Sequence, residues 1–129
     1  MINKAVLVVA MPGEYLSMIE YIQTHVAILN DKTKRNSDNP TIWEVVVETD
    51  GGLANVYVDE NDGSIGAIIF IGERWRMMAE DKKATLVRNQ LPTRVALIVP
   101  PKHVENEGVI TIYYQHADCD NFVSAILSS

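Results

Sequence analysis

Five segments rich in valine, isoleucine, leucine and tyrosine alternate with two segments of helical period. Short strand-forming runs separated by amphipathic helices restrict the chain to a sheet with helices packed on it. Residues 2–10 are almost continuously apolar, the pattern of a central strand covered on both faces. Pro12 then suits the first turn of a helix, where its missing N–H costs nothing. Tyr15, Met18, Ile19, Ile22, Val26 and Leu29 recur at spacings of three and four, giving a helix of about four turns with one apolar stripe. Residues 30–40 are polar and predict a surface loop suited to contacts.

Trp43, Val45 and Val47 alternate with Glu44, Val46 and Glu48, which predicts a strand with one more polar face. Asp50-Gly51-Gly52 predicts a turn, Val56-Tyr57-Val58 a second strand, and Asn61-Asp62-Gly63 a tight hairpin into a third strand over residues 64–71. Residues 73–78 fit either strand or helix. Asp81 is placed to cap a helix running to about Leu91, with Ala84, Val87 and Leu91 buried. Two further strands follow, at residues 94–99 and 109–114. A short terminal helix then turns Phe122, Val123, Ile126 and Leu127 inward.

The predicted order is β-α-β-β-β-α-β-β-α. It implies an α+β fold with a single mixed, mainly antiparallel sheet of five or six strands, two long helices and a short C-terminal helix. A ferredoxin-like core is the nearest simple template. With 129 residues, the chain is expected to form a single globular domain over 1–129.

Residues 1–64 hold ten acidic and four basic side chains, and residues 65–129 hold seven of each, so the first half carries the whole net charge of −6. Non-specific nucleic-acid binding needs a strong cationic field, so no nucleic-acid partner is expected. The run over residues 2–10 is too short to span a membrane, and no membrane association is expected. The single cysteine, Cys119, excludes an internal disulfide and fits a reducing compartment, hence a cytoplasmic location.

No phosphate-binding glycine loop, dinucleotide fingerprint or nucleophile elbow is present in the sequence. Asp59 to Gly63 looks acidic enough for calcium, but its glycine stands fifth where an EF-hand loop needs it sixth. Neither a metal site nor a cofactor is expected. His116, Asp118, Cys119 and Asp120 share one short segment, and a Cys119 thiolate activated by His116 is the sharpest catalytic arrangement on offer. Arg74, Trp75 and Arg76 follow a buried strand, and arginine with tryptophan is the composition of an interaction hot spot. Tyr15, Trp43 and Tyr57, with Trp75, are candidates for lining an apolar pocket between sheet and helices.

Trp43-Glu44-Val45-Val46-Val47, followed by Val56-Tyr57-Val58-Asp59 and Gly63, resembles the hairpin of PepSY-type inhibitory or sensor domains. The resemblance implies a hairpin at residues 43–63. Such domains are usually exported, and no function is transferred from them.

These readings lead to a small, soluble, non-catalytic domain that binds a protein partner or its own copy. The expected surface combines Arg74, Trp75 and Arg76 with residues 30–40, and an exposed edge strand at residues 109–114 favours self-association. A small-molecule sensor or carrier is the alternative, and an enzyme using Cys119 and His116 a third.

Overall fold

A computed structural model of the protein describes residues 2–36, 38–60, 63–91, 93–99 and 110–113, together with Val123 and Leu127. In chain order the elements are β1 (Ile2–Val9), α1 (Leu16–Asn36), β2 (Thr41–Glu48), α2 (Gly51–Glu60), β3 (Ile65–Ile71), a 3-10 turn (Glu73–Trp75), α3 (Arg76–Arg88), β4 (Arg94–Val99) and β5 (Ile110–Tyr113). The strands form one sheet in the order β2-β1-β3-β4-β5, and every neighbouring pair is parallel. This overturns the expected mainly antiparallel sheet and its ferredoxin-like core. The chain is an α/β fold, wound in both directions from β1.

The difference originates at residues 51–60. Val56, Tyr57 and Val58 favour a strand locally, yet they lie in α2. Two causes outweigh their propensity. Asp50 caps the helix, its Oδ1 accepting from the Gly52 N–H at 2.8 Å and the Leu53 N–H at 3.1 Å. Ala54, Tyr57 and Val58 also fall on one helical stripe, with Ala54 buried and the other two packed beside the core. Gly51, read as a turn residue, opens this helix instead, and its lack of a side chain lets Trp75 approach, since a Cβ there would lie 3.1 Å from Cζ3 of Trp75. A helix between β2 and β3 removes the predicted hairpins and, with them, the structural basis of the PepSY resemblance. Antiparallel hairpins need short turns, whereas a helical crossover returns the chain parallel. Asn61 and Asp62, at the predicted second turn, lie outside the described residues.

Strand alternation divides the core into two layers. Val6 and Val8 of β1, Ala67, Ile69 and Ile71 of β3, and Ala96 and Ile98 of β4 face α1, where Met18, Ile22 and Val26 cover them. Val123 and Leu127, both helical, are buried in the same layer. On the opposite face Ala5, Leu7 and Val9, Ile68 and Phe70, and Val95 and Leu97 pack against α2, Trp75 and α3. Each such buried aliphatic or aromatic side chain stabilises the fold by roughly 1.5–3 kcal/mol before chain entropy is counted.

Three helix boundaries also differ from expectation. Pro12 stands in a turn closed by Glu14 N–H to Met11 O at 3.1 Å, and α1 begins only at Leu16. At its other end α1 runs through the expected loop to Asn36. Lys34 and Arg35 in the last turn complement the helix dipole there. The Asn30 amide ties this part of the helix to β2, donating from Nδ2 to Trp43 O at 2.8 Å and accepting from Trp43 N–H at 2.9 Å. Finally, α3 begins at Arg76 rather than at Asp81, buries Ala79 and Leu86, and leaves Val87 62 % exposed.

Candidate functional site

In an open parallel sheet the strand order decides where a crevice forms. The chain leaves β1 for β2 on one side, and β3 then adds on the other side of β1. Loops leaving the carboxyl ends of β1 and β3 therefore diverge, and such a switch point is where doubly wound folds bind. The fold and this crevice define a class: a doubly wound α/β domain with flavodoxin-type strand order.

Three of the five positive-φ residues among those described lie at the crevice, the other two being Gly63 and Gln90 before β3 and β4. Gly13 has φ 76°, Tyr15 φ 57° and Gly72 φ 116°. Gly72, with ψ 145°, lies in a region essentially reserved for glycine. Its N–H is held by Ile98 O at 2.8 Å. Tyr15 heads α1, its carbonyl accepting from Ile19 N–H at 3.0 Å, and its ring lies 3.4 Å from where a Gly72 Cβ would sit. The two loops thus touch through the tyrosine ring. Trp75 follows beneath, 9 % exposed, with its ring centroid 6.3 Å from that of Phe70. Its indole N–H is buried and has no hydrogen-bond partner among the described residues.

At this edge of the sheet lie the first turns of α1, on one face, and of α2 and α3, on the other, each following the carboxyl end of a strand. Each exposes one large apolar side chain: Leu16 at 63 %, Leu53 at 57 % and Met77 at 83 %. Arg74, in the 3-10 turn before α3, is exposed at the same edge. Arg76 is half-buried and committed to Glu73, with Nη2 donating to Oε2 at 2.6 Å, and this hydrogen bonding raises the guanidinium above its ordinary pKa.

The sequence candidates are distributed as follows. Arg74, Trp75 and Arg76 lie at the carboxyl edge, but Trp75 is a core residue rather than a contact. Residues 30–36 are helical and lie near the start of β2, at the amino edge. Eight residues of strand, roughly 26 Å, separate the two edges, so these groups do not form one surface. Tyr15 and Trp43 pack on the α1 layer, Tyr57 and Trp75 on the other, so the four aromatics do not line one pocket. Burial, with a smaller contribution from Glu44, raises the Tyr57 phenol above its ordinary pKa. β5 is the outermost described strand on its side of the sheet. Cys119 and His116, with Asp118 and Asp120, lie outside the described residues. Among the described residues no group of three or more His, Cys, Asp or Glu is placed to hold a metal. No described helix is long and apolar enough to cross a membrane.

A second concave region was not legible in the sequence. At the amino edge a cavity of about 480 Å³ opens between α1 and the starts of the strands. Trp43 reaches across β1 to β3, and a Cβ on Gly66 would collide with its Cζ3 and Cη2. Gly66 is the extra residue where the β1–β3 register shifts, between Ile65 opposite Ala5 and Ala67 opposite Val6. Thr93 secures this corner, its hydroxyl donating to Ile65 O at 2.8 Å. Lys4 and Arg94 were single basic residues at the starts of apolar runs. Their shared location depends on strand order, which no local pattern encodes.

No family model matches the chain, and no curated protein matches it. A crystal structure of a fragment from Peptoclostridium difficile 630, designated a lipoprotein, is similar over 95 % of this chain and 93 % of its own, with TM-score 0.50 and 13 % sequence identity. At that identity the likeness bears on the fold alone.

Proposed function

We propose that this chain is a non-catalytic binding domain that takes a protein partner, its own copy included, on the carboxyl edge of the sheet. One observation carries the reading: the first turns of three successive helices each present an exposed large apolar side chain at that edge, Leu16, Leu53 and Met77. Single exposed apolar residues are ordinary, but here one follows the carboxyl end of each of three strands, Leu16 on the α1 face and Leu53 and Met77 on the opposite face, which supports apolar contacts along this edge. Arg74 at the same edge adds a side chain suited to a polar rim. The strained Tyr15 and the glycine-only Gly72 hold the two loops in a fixed shape, which limits the entropy lost on association.

The test compares the full chain with the Leu16→Glu, Leu53→Glu, Met77→Glu triple variant. Native mass spectrometry over a concentration series detects self-association, and quantitative affinity capture detects a heterologous partner. A complex formed by the original chain and lost in the variant, with unchanged melting temperature, supports the reading. Association untouched by the three charges, or none by either method, overturns it.

A further inference from the structure

We infer that the outer edge of β2 takes a short basic segment of another protein as an added strand. This surface is separate from the helix starts at the carboxyl edge, and the inference does not rest on that reading. β2 is the outermost strand on its side of the sheet, and among the described residues no strand pairs with its outer side. All eight of its residues are at least partly exposed, whereas all seven of β3 are buried.

The ladder decides which backbone groups are on offer. Ile2 N–H donates to Pro40 O and Ala10 N–H to Glu48 O, so the even-numbered residues of β2 turn their backbone groups toward β1. Thr41, Trp43, Val45 and Val47 turn theirs outward. At Trp43 the Asn30 side chain stands where a neighbouring strand would, accepting from the N–H at 2.9 Å and donating to the carbonyl at 2.8 Å. That seals the edge at Trp43. Beyond it no described residue hydrogen-bonds to the outward groups of Val45 and Val47, and Val47 is 37 % exposed. An extended segment laid there pairs with the N–H and carbonyl of both residues, the source of affinity when a strand is added to a sheet edge.

Charge selects the occupant. Glu44, Val46 and Glu48 share the α2 face of β2, with Val46 packed beside the core and Glu44 exposed. Glu48 is held at the strand end, its Oε1 accepting from the Thr49 N–H at 3.0 Å and the Asp50 N–H at 3.2 Å. Residues 36–73, which include all of β2 and α2, hold eight acidic side chains and no basic one. A second copy added across a two-fold axis, Val45 opposite Val47, would set Glu44 of each chain against Glu48 of the other, and like charges directly opposite are destabilising. A segment with two lysines or arginines four positions apart and a valine midway instead sets its charges against both carboxylates and its valine against Val46.

The experiment titrates the isotope-labelled full chain with the peptide Gly-Ser-Lys-Thr-Val-Thr-Lys-Ser-Gly, followed by amide NMR. Its sequence reads alike in both directions, so it suits parallel or antiparallel addition. The expected result is saturable binding that weakens with salt, with the largest shifts and the greatest slowing of hydrogen exchange at Val45 and Val47. Replacing both peptide lysines by glutamate should abolish it. Val47→Pro removes an outward N–H and leaves the β1 ladder intact, so it should weaken binding about tenfold or more at a little-changed melting temperature. Glu44→Gln and Glu48→Gln, which keep an acceptor oxygen, should each weaken binding about two- to fivefold and flatten its salt dependence. No shift at Val45 and Val47 at millimolar peptide, binding that survives Val47→Pro, or equal binding of the glutamate peptide overturns the inference. A dimer of the chain alone that Val47→Pro dissociates also overturns it, by giving the edge to a second copy.

Discussion

Gly66, the second residue of β3, and Gly72, just after its last, stand one near each edge of the sheet, and each is required for a reason that does not apply to the other. Gly66 has room for no side chain, because the Trp43 ring occupies the place of its Cβ. Gly72 has room, with no neighbour closer than 3.4 Å to a Cβ, but its φ of 116° suits only glycine. Gly66 is therefore required by packing across the sheet and Gly72 by backbone conformation.

The largest expected effect comes from breaking the packing side of this comparison. Gly66→Ala should destabilise the protein by roughly 3 kcal/mol, the upper end for forcing atoms into a filled space. Trp43→Ala in the same chain should relieve part of that, leaving a coupling of about 1 kcal/mol or more in a urea-denaturation double-mutant cycle. Additive costs would mean that the ring does not lie over Gly66. Next comes Gly72→Ala, expected to cost about 1–3 kcal/mol through conformation alone. Because that cost is not steric, removing the Tyr15 ring as well should not recover it. The Asp50→Ala substitution should cost about 1 kcal/mol by uncapping α2. Its hydrogen exchange should rise at Gly52 and Leu53 before the strands change. The smallest effect on stability belongs to Leu16→Glu, Leu53→Glu and Met77→Glu, each within about 0.5 kcal/mol because the side chains are exposed. Thermal melts check this, and a large loss would place these residues in the core rather than on a working surface.

Much of the scaffold was written in local patterns. The apolar run at residues 2–10 is an interior strand, covered on both faces from Ala5 onward, and the stripe from Met18 to Leu29 is the covering face of α1. One misread segment reversed the sheet. Val56-Tyr57-Val58 has the residues of a strand, and only the Asp50 cap with the burial of Ala54 against the opposite layer makes it a helix. That single change replaces two hairpins with a crossover and turns antiparallel neighbours into parallel ones. Trp75 shows the converse limit. Flanked by arginines it has the composition of a hot spot, yet β3 delivers it into the core beside Phe70. The site residues that escaped notice are those whose partners are remote in sequence. Trp43 meets Gly66, and Lys4 and Arg94 come to line one cavity, only after the strand order is set.

The difference between the two edges is tested most directly by two double-mutant cycles in urea denaturation, Gly66→Ala with Trp43→Ala and Gly72→Ala with Tyr15→Ala. The account predicts a coupling of about 1 kcal/mol or more in the first cycle and none in the second. Additive costs at Gly66 and Trp43, or a coupling of the same size at Gly72 and Tyr15, would contradict it.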